Sequence, residues 1–198
     1  MITRIVLKSI YLFSIGEEEY FLTEIGADTK GGKLVEYEKI EHTFEPVYDE
    51  YSEILILGTF PSVKSRGNNF YYGHPQNRFW KVIANINNVP VPESIDEKRK
   101  LLLDLHIAIW DVVASCSISG SSDSSIKDVT ANDISKLLKD TNIKTIYGNG
   151  AKACELYNRY VYSKTGRAIV KLPSTSPANA GYSLERLCEL WRKALALK

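Results

Sequence analysis

Apolar residues follow two alternating patterns along the chain from Tyr51 onward. Short continuous apolar runs, typical of buried strands, alternate with segments whose apolar residues recur at helical spacing. The predicted strands are 54–57, 107–110, 143–147 and 168–170, and the predicted helices are 78–87, 96–105, 133–140 with Asn132 as a cap, 151–162 and 184–197. This alternation predicts a three-layer α/β/α fold with a central, mostly parallel four-stranded sheet.

Residues 1–44 show a different pattern. Short β-prone runs at 5–7, 10–13, 20–22 and 34–37 are separated by turn-like segments at 16–19 and 26–32. We therefore expect a small N-terminal β meander of unknown role at 1–44. A single domain is expected at 45–198, in which the serine-rich segment 115–125 forms a loop.

Composition and charge narrow the class of protein. With 198 residues and a net charge of +1, the chain is long enough to bury a core and shows no overall charge bias. No apolar run approaches the roughly 20 residues of a membrane helix, and the N-terminus lacks the features of an export signal. The cysteines and histidines are widely spaced, which favours reduced thiols in the cytoplasm and predicts no metal site. These residues are Cys116, Cys154, Cys188, His42, His74 and His106.

One stretch has a local charge bias. No acidic residue occurs between Glu53 and Glu93. Basic and aromatic residues are interleaved there: Lys64, Arg66, Arg78, Lys81, Tyr71, Tyr72, Phe79 and Trp80. Positive charge among aromatic rings suits a surface that follows phosphates and stacks bases. Chance clustering on a solvated surface is the alternative.

Two segments carry the polar residues expected of a binding site. Residues 58–62, followed closely by 71–80, and residues 172–180 each come directly after a predicted strand. Open α/β sheets bind their ligands at the carboxyl ends of the strands. Both segments are therefore candidates for one ligand site.

Six ordered segments carry a resemblance to a known family: 55–62, 71–80, 108–116, 120–126, 148–150 and 172–180. Over residues 45–198 the chain resembles the uracil-DNA glycosylase superfamily and, within it, is most like the hypoxanthine-DNA glycosylase (DNA-deoxyinosine glycosylase) family. The resemblance implies a uracil-DNA glycosylase-like fold and a DNA glycosylase. We expect it to be a monomer without metal or cofactor, and to be monofunctional because no lysine lies at a position that suggests a Schiff base. Its substrate would be DNA with a deaminated base, chiefly hypoxanthine and also uracil. The base would be flipped out and released by water attack, which leaves an abasic site.

The resemblance assigns the water-positioning role to Asn77, because Phe60 stands where related glycosylases usually carry Asp or Asn. A carboxamide can hold a water by accepting its hydrogen bond but is too weak a base to remove a proton early, so catalysis would rest on positioning and on stabilising a cation-like sugar. The alternative for Asn77 is a cap of the helix predicted to begin at Arg78. Tyr72 and Phe60 are expected at the base site, with Tyr72 stacked against the flipped base.

Two side chains are candidates for reading the base edge. Asp111 lies where uracil-directed relatives carry a base-contacting Asn, and an ionised carboxylate accepts the N1–H of hypoxanthine. Asn149, between Gly148 and Gly150, is the second candidate. The alternatives are a strand-end acceptor for backbone amides at Asp111 and a left-handed turn residue at Asn149.

The remaining assignments concern DNA contacts, since small hydroxyls, amides and basic side chains suit phosphate oxygens. The expected contact residues are Ser62, Lys64, Arg78, Ser174, Thr175, Ser176 and Asn179. An ordinary turn is the alternative for 174–177. For the whole protein, the alternatives are a non-catalytic module that binds damaged DNA and a hydrolase that acts on free deoxyinosine.

Overall fold

A computed structural model describes residues 25–30, 33–119 and 125–195 of the chain. The strands are β1 Ile25–Lys30, β2 Lys33–Glu41, β3 Ile54–Gly58, β4 Ile107–Asp111, β5 Val113–Ile118, β6 Lys127–Ala131, β7 Thr145–Asn149 and β8 Ile169–Leu172. The helices are α1 Val63–Gly67, α2 Phe79–Ile86, α3 Ile95–Asp104, α4 Ile134–Lys139, α5 Ala151–Tyr160, α6 Tyr162–Thr165 and α7 Leu184–Leu195.

These elements form two compact units. The first takes its described residues from 1–41 and 115–130, and the second from 42–114 and 131–198. The sequence instead predicts a boundary after residue 44 and a single domain for all later residues. The difference at 115–130 arises because β5 pairs with β2 in antiparallel register, from Glu38 opposite Ile118 to Glu41 opposite Ser115.

The second unit is built on a parallel sheet with strand order β4-β3-β7-β8. The central strand β3 is fully buried at Leu55, Ile56 and Leu57, as expected of a strand covered on both faces by helices. The predicted α/β fold with a central parallel four-stranded sheet is confirmed. The chain moves from β3 to β4 on one side and then returns to β7 on the other, so a switch point lies between β3 and β7.

Helices α2 and α7 contribute much of the core of this unit. Phe79 opens α2 and Trp191 lies in α7; both are fully buried, and their rings meet edge to face with centroids 5.9 Å apart. Trp80 is also buried, so Phe79 and Trp80 pack in the core and are not exposed on a base-stacking surface. Helix α3 begins at a capping box in which Ser94 and Glu97 satisfy each other's backbone amides.

The first unit contains a four-stranded sheet with order β1-β2-β5-β6, in which β1 pairs antiparallel with β2. The predicted run 34–37 lies within β2. The turn predicted at 26–32 is wrong over 26–30, which belongs to β1 Ile25–Lys30, because every residue of that strand pairs with β2 between Lys33 and Glu38. Part of the serine-rich segment predicted as a loop is strand β5. The runs at 5–7, 10–13 and 20–22 and the turn at 16–19 lie outside the described residues.

Two further expectations concern local structure. Asn132 does not cap α4: the cap is Asp133, whose side chain accepts from Lys136 N, whereas Asn132 Nδ2 donates to the backbone oxygen of Asp111 at 2.9 Å. Within the described ranges, no helix is long and apolar enough to cross a membrane.

Candidate active site

The carboxyl ends of β3 and β4 meet at a glycine. Gly58 lies opposite Asp111 in the parallel pairing. A Cβ atom on Gly58 would sit 2.1 Å from Asp111 Oδ1 and 3.5 Å from Tyr72 Oη. No side chain fits in that space, so glycine at position 58 allows a carboxylate and a phenol to approach the same strand end.

The Asp111 carboxylate is buried and has a specific partner. Its Oδ2 lies 2.9 Å from His42 Nε2, and the two side chains are only 7% and 4% exposed. An ionised carboxylate only accepts hydrogen bonds, so His42 Nε2–H is the donor. Oδ1 has no hydrogen-bond donor among the described residues and is left for a ligand.

His42 is a site residue that sequence reasoning missed. The sequence gives no sign of its contact with Asp111, because 69 positions separate the two residues. Its ring packs against Phe44 at 4.5 Å between centroids and lies 6.3 Å from Phe60. This aromatic packing fixes the imidazole and, through it, the orientation of the Asp111 carboxylate.

Tyr72 combines a strained backbone with an unsatisfied hydroxyl. Its φ is +53°, a left-handed conformation that a bulky residue rarely adopts. The ring stacks on Phe79 with centroids 3.9 Å apart and an interplanar angle of 19°. Its Oη is the one buried side-chain oxygen or nitrogen in the described part of the chain without a hydrogen-bond partner, although the Asn149 side chain lies nearby.

Asn77, Thr175 and Asn149 form a connected hydrogen-bond network. Thr175 Oγ1 donates to Asn77 Oδ1 at 2.9 Å and accepts from Asn149 Nδ2 at 2.9 Å. The backbone N–H of Thr175 donates to Asn149 Oδ1 at 2.9 Å. Thr175 is fully buried, so the network joins the end of β7 to the start of the 173–183 loop.

The Asn77 carboxamide also serves the first turn of α2. Its Oδ1 accepts from the backbone N–H of Phe79 at 3.0 Å, so it satisfies an amide of the first turn as in the capping alternative, although the cap position itself is Arg78. Together with the Thr175 hydroxyl, this uses both acceptor sites of the oxygen. Nδ2 has no protein partner within the described residues. Any contact of Asn77 with water or substrate is therefore made by Nδ2.

Arg78 is engaged by the neighbouring loop. Its guanidinium donates to the backbone oxygens of Thr175, Ser176, Asn179 and Tyr182. These donors are used inside the protein, which differs from the predicted phosphate contact. The planar guanidinium of arginine carries several N–H donors, so it can bond several carbonyl oxygens that point toward it and hold the loop in place.

Replacement of Arg78 by Lys tests this positioning role. The charge is kept but a single ammonium cannot span four carbonyls, so we expect faster amide hydrogen exchange at 173–183 and a roughly tenfold slower base release. DNA affinity at low salt should change little. Arg192→Lys on the exposed surface of α7 is the control. Weaker DNA binding with unchanged hydrogen exchange would instead indicate a phosphate contact.

Among the other predicted DNA contacts, Ser174 and Ser176 have internal partners that leave their hydroxyl protons free, whereas the Thr175 hydroxyl is buried and donates its proton to Asn77. Ser174 Oγ accepts from Ser176 N and Ser176 Oγ accepts from Ala178 N, both at 3.2 Å. Each hydroxyl therefore keeps its own proton for an incoming acceptor. Asn179 Nδ2 donates to Ser174 O at 2.8 Å, which closes the turn.

The segment after β3 presents a basic side chain beside an aromatic ring. Ser62 caps α1 by accepting from Ser65 N, and Lys64 is exposed on that helix. The Phe60 ring is nearly buried, with the Arg66 guanidinium 5.8 Å from its centroid. His74 braces the following turn, since its Nδ1 accepts from Gln76 N.

The structure thus brings together Asp111, Tyr72, Asn77, Asn149 and Thr175 at the carboxyl end of the parallel sheet. A family model, Uracil DNA glycosylase superfamily, matches residues 45–196. The chain belongs to the Uracil DNA glycosylase superfamily. The enzyme class expected from the sequence, a DNA glycosylase, is confirmed by this membership.

Individual relatives agree with the family. A protein of Methanosarcina acetivorans named hypoxanthine DNA glycosylase is 37% identical over 152 residues, 76% of this chain and 95% of the relative. One of the same name from Methanosarcina barkeri is 40% identical over 116 residues, 57% of this chain and 72% of the relative. The solution NMR structure of a candidate uracil DNA glycosylase from Methanosarcina acetivorans superposes with a TM-score of 0.64 at 37% identity, covering 74% of this chain and 91% of that one.

Proposed function

We propose that this glycosylase is monofunctional and removes hypoxanthine from DNA, with uracil as a second substrate, and that it leaves an abasic site. The observation that carries the proposal is the buried Asp111 carboxylate at the strand end, with His42 on one oxygen and the other oxygen unpartnered. Such a group accepts the N1–H of hypoxanthine in its lactam form. The two relatives named hypoxanthine DNA glycosylase support the same substrate.

The reaction needs the nucleotide to leave the base stack before its glycosidic bond can be reached. Inside the site, Asp111 would accept from the base, and Asn77 Nδ2 would hold the attacking water by donating to its oxygen. An amide does not remove a proton early, so the rate would come from positioning and from stabilising a cation-like sugar. The Thr175 network would keep Nδ2 in place, because it fixes the other end of the Asn77 amide.

DNA contacts would come from two loops beside this site. The free hydroxyl protons of Ser174 and Ser176 suit phosphate oxygens. On the other loop, Ser62 would contribute as the cap of α1, and Lys64 adds exposed positive charge.

The decisive experiment is a panel of duplex and single-stranded oligonucleotides that carry hypoxanthine, uracil, xanthine or a thymine mismatch. We expect release of free hypoxanthine, and strand cleavage only after alkali treatment of the abasic site. Uracil release should be detectable, because uracil also offers a ring N–H to Asp111. Binding without release from any member of the panel would favour the non-catalytic module. Cleavage of free deoxyinosine but not of DNA would favour the nucleoside hydrolase.

Lys64→Ala tests the phosphate surface. The plot of log affinity against log salt should become shallower by about 1 unit, and affinity should fall about equally for damaged and undamaged DNA. Lys100→Ala is the matched control, since Lys100 is exposed on α3 and paired with Asp104. An unchanged salt dependence would remove Lys64 from the DNA surface.

We further propose that the protein acts as a monomer in the cytoplasm. Asn77, Asn149 and Thr175 bond one another within a single chain, and Cys154 and Cys188 are free thiols, as expected in a reducing compartment. Sedimentation of the protein with and without a hypoxanthine oligonucleotide tests the first part; a stable dimer in both samples would contradict it.

A further inference from the structure

The Tyr72 hydroxyl is the strongest unexplained feature of the second unit. Buried polar groups nearly always have partners, and an exception calls for a physical reason. Tyr72 Oη has none within the described residues, while its own backbone is held in a left-handed conformation. Strain and an unsatisfied polar atom on one residue suggest that its position serves a ligand.

The two faces of the Tyr72 ring are not both available for stacking on a base. Phe79 covers one face at 3.9 Å in a nearly parallel arrangement. The hydroxyl end, by contrast, points to the same strand end as the free oxygen of Asp111, and both atoms lie within 3.5 Å of the missing Cβ position of Gly58. A phenolic donor and a carboxylate acceptor therefore face one small region side by side.

We propose that Tyr72 determines specificity through its hydroxyl, which donates to the ring carbonyl of the flipped base while Asp111 Oδ1 accepts from the adjacent ring N–H. This inference rests on the proposed function and deepens it. It replaces the expected stacking role of Tyr72 with a hydrogen-bonding role, and it explains why a buried hydroxyl is left unpartnered in the free protein.

Such a pair recognises the chemical change that deamination makes. In hypoxanthine and uracil, a ring N–H donor stands next to a C=O acceptor. Adenine and cytosine have the opposite order on the same edge, because the ring nitrogen accepts and the exocyclic amine donates. An ionised Asp111 facing a ring-nitrogen lone pair would lose its hydrogen bond and be repelled, and the phenol could no longer donate to the base because it would face an amine that is itself a donor. Adenine and cytosine, the bases from which hypoxanthine and uracil form, are thus rejected by the same two atoms that accept their deaminated products.

The protonation state of Tyr72 suits this role. Burial and the neighbouring Asp111 carboxylate raise the pKa of Tyr72 above its ordinary value. The hydroxyl therefore keeps its proton at neutral pH and can donate it.

Tyr72→Phe separates the hydroxyl from the ring. Phenylalanine keeps the packing on Phe79, and its thermal unfolding temperature should equal or exceed that of the wild type because an unsatisfied buried oxygen is removed. We expect the single-turnover rate of hypoxanthine release to fall at least about tenfold. Tyr71→Phe is the matched control, since the Tyr71 hydroxyl already donates to Glu45 O at 3.0 Å; it should keep the rate of base release.

A substrate analogue completes the test. Replacing the carbonyl oxygen of hypoxanthine by sulfur keeps the ring N–H but weakens the acceptor. We expect the analogue to slow the wild-type enzyme and to slow Tyr72→Phe no further. Equal wild-type and Tyr72→Phe rates would overturn the inference; should the variant fail to fold, equal wild-type rates on the two bases would overturn it. If the wild type releases no hypoxanthine at all, the proposed function itself fails, and the inference fails with it.

Discussion

Asn77→Ala is expected to lower the single-turnover rate of hypoxanthine release by about a hundredfold or more, because it removes the group that places the water. The same change should cost about 2 kcal/mol of stability, since Phe79 N loses its cap and the Thr175 hydroxyl loses its acceptor. Burst kinetics and urea unfolding measure the two effects. Asn85→Ala is the control, because Asn85 is exposed on the same helix and its side chain bonds only to Lys81 O within that helix.

Asn77→Asp separates the role of the amide oxygen Oδ1 from that of the amide nitrogen Nδ2. Aspartate keeps an oxygen for the Phe79 amide and for the Thr175 hydroxyl, and a negative charge is favourable at the start of α2. The protein should therefore be as stable as the wild type. The rate should nevertheless fall as it does in Asn77→Ala, because the Nδ2 donor is gone. A rate at or above that of the wild type would show that the side chain acts on water as an acceptor, the role first expected from the sequence.

Gly58→Ala is expected to abolish most activity and to destabilise the protein by about 3 kcal/mol. The new methyl group would lie 2.1 Å from Asp111 Oδ1, so the carboxylate must move. That movement breaks the buried contact with His42 and displaces the acceptor of the base. Single-turnover release and thermal unfolding measure the outcome.

Gly67→Ala provides the matched glycine control. Gly67 ends helix α1, and a Cβ there meets no atom within 4 Å. Stability and activity should therefore remain close to those of the wild type. If Gly58→Ala also kept the stability and activity of the wild type, the close approach of Gly58 and Asp111 would not matter for function.

The sequence predicted the parallel strands well, because each is a continuous apolar run between polar segments. The strand predicted at 143–147 begins and ends two residues before β7, which spans Thr145–Asn149. Ile143 is buried like a strand residue, whereas Gly148 and Asn149 have the composition of a turn. Pairing with β3 and β8 extends the strand through them, since Gly148 lies opposite Leu57 and Asn149 opposite Leu172.

The predicted site residues differ in the contacts that they make in the structure. Asp111 ends β4 and Asn149 ends β7, the strands on either side of β3, and Thr175 lies at the centre of a buried network. Arg78 was assigned to DNA because of its charge, but four carbonyls surround its guanidinium. Charge is visible in a sequence, whereas the carbonyls that converge on it are not.

By itself, the sequence determined the order of strands and helices, the two polar segments at strand ends and the resemblance to one superfamily. Those features depend on local composition and on the period of apolar residues, which neighbours along the chain already express. Only the tertiary structure decided that His42 bonds Asp111, that Asn77 bonds Thr175 and that the Tyr72 hydroxyl stays unpartnered. These facts join residues 69 and 98 positions apart, and contacts at such separations are fixed by how the sheet and helices pack.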